Sequence, residues 1–219
     1  MLEHREFVQV KPKMSREELV EDLAYVRALA EEGKHAPLLG GSFLLFWGGL
    51  NGCAYLAHWL VSIGQVSFFG PGDFALVWSV YGILAGFGSF LLSGRLAGKP
   101  GRSAIGVRAE RAIWMAIATG IGAFAIGAIV RMVIEQDWAA PNTIPPAALA
   151  FCGAALVATA ALSGQRWLGA FGALSMLCAL AIGAFANVEG VYLASAAASV
   201  ITLIIPGIVL LRREPSSLV

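Results

Sequence analysis

Few polar side chains fall inside the apolar stretches of this sequence, and Asn51 is the foremost of them. It lies about 20 Å along an apolar run that begins at Leu38, counting about 1.5 Å per residue. Amide and ionisable groups within hydrocarbon mark functional sites by default, because burying them costs free energy. Beside Gly48 and Gly52, Asn51 would line or gate a pathway. The alternative, which we favour, is an interhelical hydrogen bond worth about 0.6 kcal/mol.

His58 is the second candidate, and it lies beside Tyr55 and Trp59 near the end of the same run. This setting is typical of side chains that anchor a helix at the membrane surface. An imidazole can instead bind a metal or carry protons together with carboxylates. Their spacing specifies no ligand set, so we expect neither a metal site nor a cofactor. The carboxylates near the same ends of the apolar runs are Asp73, Glu135, Asp137 and Glu189.

Arg131 and Glu135 lie four residues apart near the end of another apolar run. Residues at this spacing share a helix face, so an ion pair is expected, although arginine before glutamate is the weaker order. The aliphatic part of Arg131 can also extend along the helix and place its guanidinium in the interface. We interpret both residues as structural anchors and keep them as candidate ligand or gating residues.

The sequence contains no set of residues that indicates catalysis. It contains no HExxH, GxSxG or P-loop motif and no run of carboxylates within its apolar stretches. Cys53, Cys152 and Cys178 have no CxxC spacing and are expected to pack as small apolar residues. No basic cluster interleaved with aromatic residues favours nucleic acid. The sequence therefore predicts a protein that is not an enzyme.

The composition predicts a membrane protein, since 58% of residues are hydrophobic and only 13% are charged. A bilayer core about 30 Å thick needs roughly 20 apolar residues per helix, and six runs meet this need. We therefore predict an all-α, polytopic membrane protein with a six-transmembrane-helix bundle (38–211). The predicted spans are Leu38–Ser62, Phe74–Ser93, Ala112–Val133, Ile144–Leu162, Trp167–Ala186 and Val191–Leu211.

The distribution of basic residues predicts the orientation of these spans. Fourteen of the fifteen lysines and arginines fall on one side, and only Arg131 falls on the other. Cytoplasmic segments carry the excess of such residues. Both the leader (1–37) and the tail (212–219) are therefore expected in the cytoplasm, with the chain in the inner membrane. The first span would act as an uncleaved signal-anchor.

The leader contains a predicted amphipathic helix. Ser15 and Glu18 fit a capping box, and Leu19, Leu23 and Val26 recur on one face. Residues 1–37 carry eight acids against six bases, whereas helices that bind lipid surfaces are usually basic. We favour packing of this helix against the chain's own basic loop (95–111). Docking to a partner protein or pairing with a second copy are the alternatives.

Small residues at four-residue spacing predict close packing of the spans. Pro206 is expected to kink the last span. An inverted repeat of three spans is allowed by the topology, but the first and fourth spans share little beyond composition. The pairs are Gly48 with Gly52, Gly82 with Gly86, Ala118 with Gly122, Ala179 with Gly183, and Ala194 with Ala198.

These observations favour a non-catalytic membrane protein that acts through protein partners, as an accessory, assembly or sensor subunit. Its expected contacts are membrane lipids and a partner protein or further copies of itself. The alternative is a small transporter or channel for an apolar or weakly polar solute, suggested by the glycine-rich spans, Asn51 and Pro206. An intramembrane enzyme is the third and weakest hypothesis.

Overall fold

The computed structural model describes residues 16–34, 40–97 and 105–213, and these residues form helices and short connections without a strand. Short 3₁₀ turns, Gly70–Gly72 and Ala140–Thr143, precede α3 and α5, and a π-helical turn, Val200–Ile204, joins α7 to α8. The helices are α1 (Arg16–Lys34), α2 (Gly41–Ser62), α3 (Asp73–Ala97), α4 (Ile105–Ile134), α5 (Ile144–Ser163), α6 (Arg166–Phe185), α7 (Val188–Ser199) and α8 (Ile205–Arg213).

Five helical segments of the described chain are long and apolar enough to cross a membrane, which confirms an all-helical fold of the membrane type. Helix α2 has 22 residues but is not among the five. Asn51 and His58 lie within it and lower its mean hydropathy. The five segments are Asp73–Leu96, Gly106–Ile134, Ala140–Ser163, Arg166–Phe185 and Val188–Arg213.

Glycines on α2 pack directly against the last helical segment. A Cβ added at Gly41 would lie 2.8 Å from the backbone nitrogen of Leu211, and one at Gly48 would lie 2.8 Å from Cγ1 of Ile204. At Gly52 the same addition would lie 3.2 Å from Cγ2 of Val200. The predicted pair of Gly48 and Gly52 therefore lies in a helix interface, where the absence of a side chain permits the close approach.

The tightest crossing in the described chain joins α5 and α6. A Cβ added at Gly153 would lie 2.7 Å from the carbonyl oxygen of Gly172, and the reciprocal distance is also 2.7 Å. The two helices form a hairpin that reverses at Gly164, whose φ of 69° suits glycine. The sequence pattern did not identify this crossing, because neither glycine has another small residue four positions away.

Helices α3 and α4 lie at the periphery. Helix α3 packs mainly on α2, where the ring of Phe46 lies over Gly88, and α4 packs mainly on α5. A Cβ added at Gly82, Gly86 or Gly122 would meet no heavy atom within 4 Å. These predicted small-residue pairs therefore do not form helix interfaces within the described chain.

The last span contains a π-helical turn, Val200–Ile204, directly before Pro206. We expected a kink at the proline. Proline lacks a backbone N–H and its ring crowds the preceding turn, so the regular hydrogen-bond pattern cannot continue there. The Thr202 hydroxyl donates to the carbonyl oxygen of Ala198 at 2.8 Å. The irregularity is thus a widened turn before the proline.

The predicted loop 95–111 is shorter in the structure. Helix α3 continues to Ala97 and α4 begins at Ile105, so Arg95, Arg108 and Arg111 lie on helices. Long basic side chains can extend from a helix end into the interface, and helices therefore continue beyond their apolar portion. Residues 98–104 of this loop lie outside the described residues.

Helix α1 occupies the predicted position, although Ser15 of its expected capping box lies outside the described residues. Leu19, Leu23 and Val26 are 47%, 66% and 59% exposed. Helix α1 contacts α4, but no described part of the chain covers these three side chains. The favoured packing of this apolar face against the chain's own loop is therefore not seen in the described residues.

The two ends of the bundle differ in charge. At one end, the start of α2 lies beside Glu110 of α4 and beside the end of α8. Arg213 at the end of α8 lies over Trp167, so the start of α6 is at the same end. We call this the arginine end. The opposite end carries Arg131 and four carboxylates, Asp73, Glu135, Asp137 and Glu189. The arginines of the arginine end are Arg95, Arg108, Arg111, Arg166, Arg212 and Arg213.

Candidate functional site

The candidate polar residues of α2 lie in a contact with α3 that we call the aromatic ladder. It is formed by Asn51, Tyr55 and His58 on α2 and by Phe74, Trp78 and Tyr81 on α3. Each set follows the spacing i, i+4, i+7, which places three side chains on one helix face. Since the helices are antiparallel, the first residue of one set meets the last of the other.

Asn51 forms the first step of the aromatic ladder. The Tyr81 hydroxyl donates to Oδ1 of Asn51 at 2.8 Å, joining α2 to α3. The predicted interhelical hydrogen bond is thus confirmed, and its partner is a tyrosine that the sequence did not suggest. This bond occupies an acceptor of the amide that a solute would otherwise use.

Aromatic contacts form the middle of the ladder. The rings of Tyr55 and Trp78 meet edge to face, with centroids 6.0 Å apart. Tyr192 of α7 lies 6.2 Å from Tyr55 by the same measure. Tyr55 is only 4% exposed and Tyr192 only 3%. This packing joins three helices through large side chains, whose edge-to-face contacts stabilise more than their buried area alone.

His58 occupies the last step of the ladder. Trp78 Nε1 donates to His58 Nδ1 at 3.0 Å, so the neutral imidazole carries its proton on Nε2. The imidazole stacks on Tyr192 with centroids 3.5 Å apart and contacts the ring of Phe74 at 4.6 Å. His58 therefore has aromatic neighbours, in keeping with the predicted role as an aromatic anchor.

Asp73, one of the carboxylates that we considered for a metal or proton site with His58, has other partners. Asp73 instead accepts backbone N–H groups from Phe68 at 3.1 and 3.2 Å and from Phe69 at 2.7 Å, which closes the turn before α3. Glu189 is exposed. Across the ranges 16–34, 40–97 and 105–213, no three His, Cys, Asp or Glu residues come together as metal ligands would.

Arg131 makes the predicted ion pair with Glu135, and its Nε lies 2.9 Å from Glu135 Oε2. Its Nη2 also lies 3.0 Å from Asp137 Oδ2, a contact that we did not predict. Gln136 between the two carboxylates has a φ of 56°, and the chain turns there. Exposed pairs of this kind contribute little to stability. The arrangement closes the end of α4 and supports the anchoring interpretation.

Glu110 is a buried carboxylate that we missed, because it lay in the predicted basic loop. It is 5% exposed, and its carboxylate lies against Gly40 at the start of α2. A carboxylate at a helix N-terminus interacts favourably with the unpaired N–H groups and the helix dipole. The available signal was one acid among Arg108 and Arg111, together with the Gly40–Gly41 pair that gives close access to the backbone.

The hydroxyl groups inside the bundle have mixed partners. Ser175 donates across helices to the carbonyl oxygen of Leu149 at 2.8 Å, and Thr119 donates within its own helix to Met115 at 2.9 Å. The buried hydroxyls of Thr159 and Ser195 have no hydrogen-bond partner. These groups can join helices but offer no base or nucleophile pair for catalysis.

A scan against family models and searches of curated proteins and solved structures find no match to this chain. The function is therefore inferred from the residues of this chain.

Proposed function

We propose that the chain is a non-catalytic inner-membrane protein that acts through a protein partner bound to α1, as an accessory, assembly or sensor subunit. The observation that carries the proposal is the uncovered apolar face of α1. Leu23 is 66% exposed and Val26 is 59% exposed on a helix that contacts α4. Such a face on an amphipathic helix fits a groove on another protein.

The charge of α1 supports a protein rather than a lipid surface as the occupant. The helix contains six acids and three bases between Arg16 and Lys34. An anionic cytoplasmic leaflet attracts basic segments and repels acidic ones. A partner with an apolar groove and a basic rim would match both the apolar face and the charge.

We add α2 to the five apolar segments as a further membrane span, which gives six spans in all. Helix α2 has 22 residues, about 33 Å at 1.5 Å per residue, which is enough for a bilayer core. Its position between α3 and the α7–α8 segment supports this assignment. The excess of arginines at the arginine end supports a cytoplasmic location of that end, and with it of both termini.

The alternative of a transporter or channel has less support. Asn51 is engaged by Tyr81, and Gly48 and Gly52 pack against the last helical segment. The features that suggested a pathway are thus used in contacts within the chain. The aromatic ladder, likewise, serves to hold α3 on α2.

Substitutions on α1 test the proposed docking. Leu23→Asp or Val26→Asp should abolish retention of a stoichiometric partner, because a charge would be buried in the partner's groove. Ala24→Asp adds the same charge to a neighbouring exposed position on another face and should retain the partner. The measurement is native mass spectrometry after gentle extraction, with membrane insertion checked for each variant.

Two results would count against this function. One is equal retention of the partner by all three variants, since α1 would then not carry the contact. The other is the absence of any stoichiometric protein from the wild-type chain. A second copy of the chain in place of a different protein would redirect the proposal to self-association through α1.

A further inference from the structure

Helices α6 and α8 meet at the arginine end through an arginine–tryptophan contact. The guanidinium carbon of Arg213 lies 5.4 Å from the centroid of the Trp167 ring. Trp167 Nε1 donates to Gln165 Oε1 at 3.0 Å, and Phe171 meets the same ring edge to face. The ring is therefore held on two sides, and it orients the guanidinium of Arg213.

Three arginines flank this contact along the chain. Arg166 begins α6 beside Trp167, and Arg212 and Arg213 form the last turn of α8. All three are exposed, and neither of the two ion pairs seen between described residues involves them. Glu214 follows directly in the sequence but lies outside the described residues. The cluster is thus a local concentration of positive charge at the membrane end of two packed helices.

An apolar surface continues from Arg212 along α8, since Ile208 lies four residues before it on the same face. Leu211, Ile208 and Ile205 are 42%, 38% and 43% exposed, at steps of three residues towards the middle of the bundle. The cluster therefore combines a charged group at the level of lipid headgroups with an apolar track at the level of acyl chains.

We propose that Arg166, Arg212 and Arg213 bind the headgroup of an anionic phospholipid, with an acyl chain lying along the exposed face of α8. Guanidinium groups bind phosphate oxygens in a bidentate manner and are less strongly hydrated than ammonium groups. Trp167 suits the same depth, because tryptophan is enriched at membrane interfaces. The apolar track distinguishes a lipid from a free phosphate ion as the ligand.

The binding test uses native mass spectrometry of the full chain in detergent. Palmitoyl-oleoyl phosphatidylglycerol is titrated against the phosphatidylcholine with the same acyl chains. The wild-type chain should retain one phosphatidylglycerol at concentrations where phosphatidylcholine does not bind. The double variant Arg166→Gln/Arg213→Gln should weaken this binding about tenfold or more, because two charged groups that would hydrogen-bond to the phosphate are lost.

The matched control is Arg95→Gln/Arg108→Gln, which removes two exposed arginines from the same end but from α3 and α4. It should leave the bound phosphatidylglycerol in place. Equal weakening by both double variants would overturn the proposal, because the whole arginine end would then attract lipid without a site. Full retention by Arg166→Gln/Arg213→Gln would overturn it as well.

A competition experiment separates the lipid from its headgroup chemistry. Inorganic phosphate at millimolar concentration should not displace phosphatidylglycerol, because it cannot occupy the apolar track on α8. Displacement by phosphate would overturn the assignment to a lipid. The outcome is independent of α1, so it does not depend on the proposed protein partner.

Discussion

The close contact between Gly153 and Gly172 predicts that an alanine at either position lowers the free energy of unfolding. In Gly153→Ala the new Cβ would lie 2.7 Å from the Gly172 carbonyl oxygen and 3.1 Å from the backbone nitrogen of Met176. Ordinary contact begins near 3.4 Å, so α5 and α6 must separate at their closest point. Overpacking of a filled interface costs about 1–3 kcal/mol. We expect the upper part of this range, because the atom approached is a backbone oxygen at less than 3.0 Å. The gain in helix propensity from glycine to alanine, about 1 kcal/mol, then offsets only part of the cost.

The assay is the free energy of unfolding in mixed micelles, measured by titration with sodium dodecyl sulfate and followed by circular dichroism. Gly122→Ala on α4 is the matched control, because its Cβ meets nothing within 4 Å. We expect Gly153→Ala to destabilise the chain and Gly122→Ala to leave it unchanged or slightly more stable. The same chemical change would then destabilise the chain at one helical position and not at the other.

The reciprocal variant adds a second check. Gly172→Ala places its Cβ 2.7 Å from the Gly153 carbonyl oxygen, so both variants strain the same crossing. Once one substitution has separated the helices, the other should cost less, and the double variant should be less destabilised than the sum of the two. Equal stability of Gly153→Ala and Gly122→Ala, or strict additivity of the pair, would refute the close backbone contact.

Two further predictions concern the aromatic ladder and the orientation of the chain. Asn51→Leu and Tyr81→Phe should each lower the free energy of unfolding by about 0.6 kcal/mol. The double variant should lose little more, because both substitutions remove the same hydrogen bond. Additive losses in the same detergent titration would show that the bond contributes nothing. The orientation is tested in a cysteine-free background with an impermeant maleimide added outside intact spheroplasts. Gln65→Cys should react, whereas Arg95→Cys should react only after lysis, since the arginine end faces the cytoplasm in our proposal. The reverse pattern would invert the topology.

The helical segments and the general class could be predicted from the sequence because they depend on local properties. Apolar runs of sufficient length mark helices wherever they occur. The hydrogen-bonded state of Asn51 was also predictable, since an amide inside a span needs a partner. Its partner, Tyr81, could not be named from the sequence, because this contact depends on which faces of α2 and α3 meet.

Helix pairing could not be predicted in the same way. Glycine and alanine recur throughout the chain, so Gly82 and Gly86 look the same in sequence as Gly48 and Gly52, yet only the latter pair is packed against another helix of the described chain. The difference lies in which faces meet, and that depends on contacts between residues far apart in sequence. Glu110 was missed for a related reason, since its burial depends on the approach of Gly40 from another helix.

The π-helical turn sets the rotational register of the last span. A regular α-helix advances about 100° per residue, and a π-helical turn accommodates about one residue more than the regular helix would. If the same residues formed a regular α-helix instead, everything after them would be rotated by about 100° relative to α7. Gly207 would then turn away from Gly41, and Arg213 would leave the face of Trp167. One extra residue in the middle of the last helical segment thus determines which side chains meet at the end of that segment.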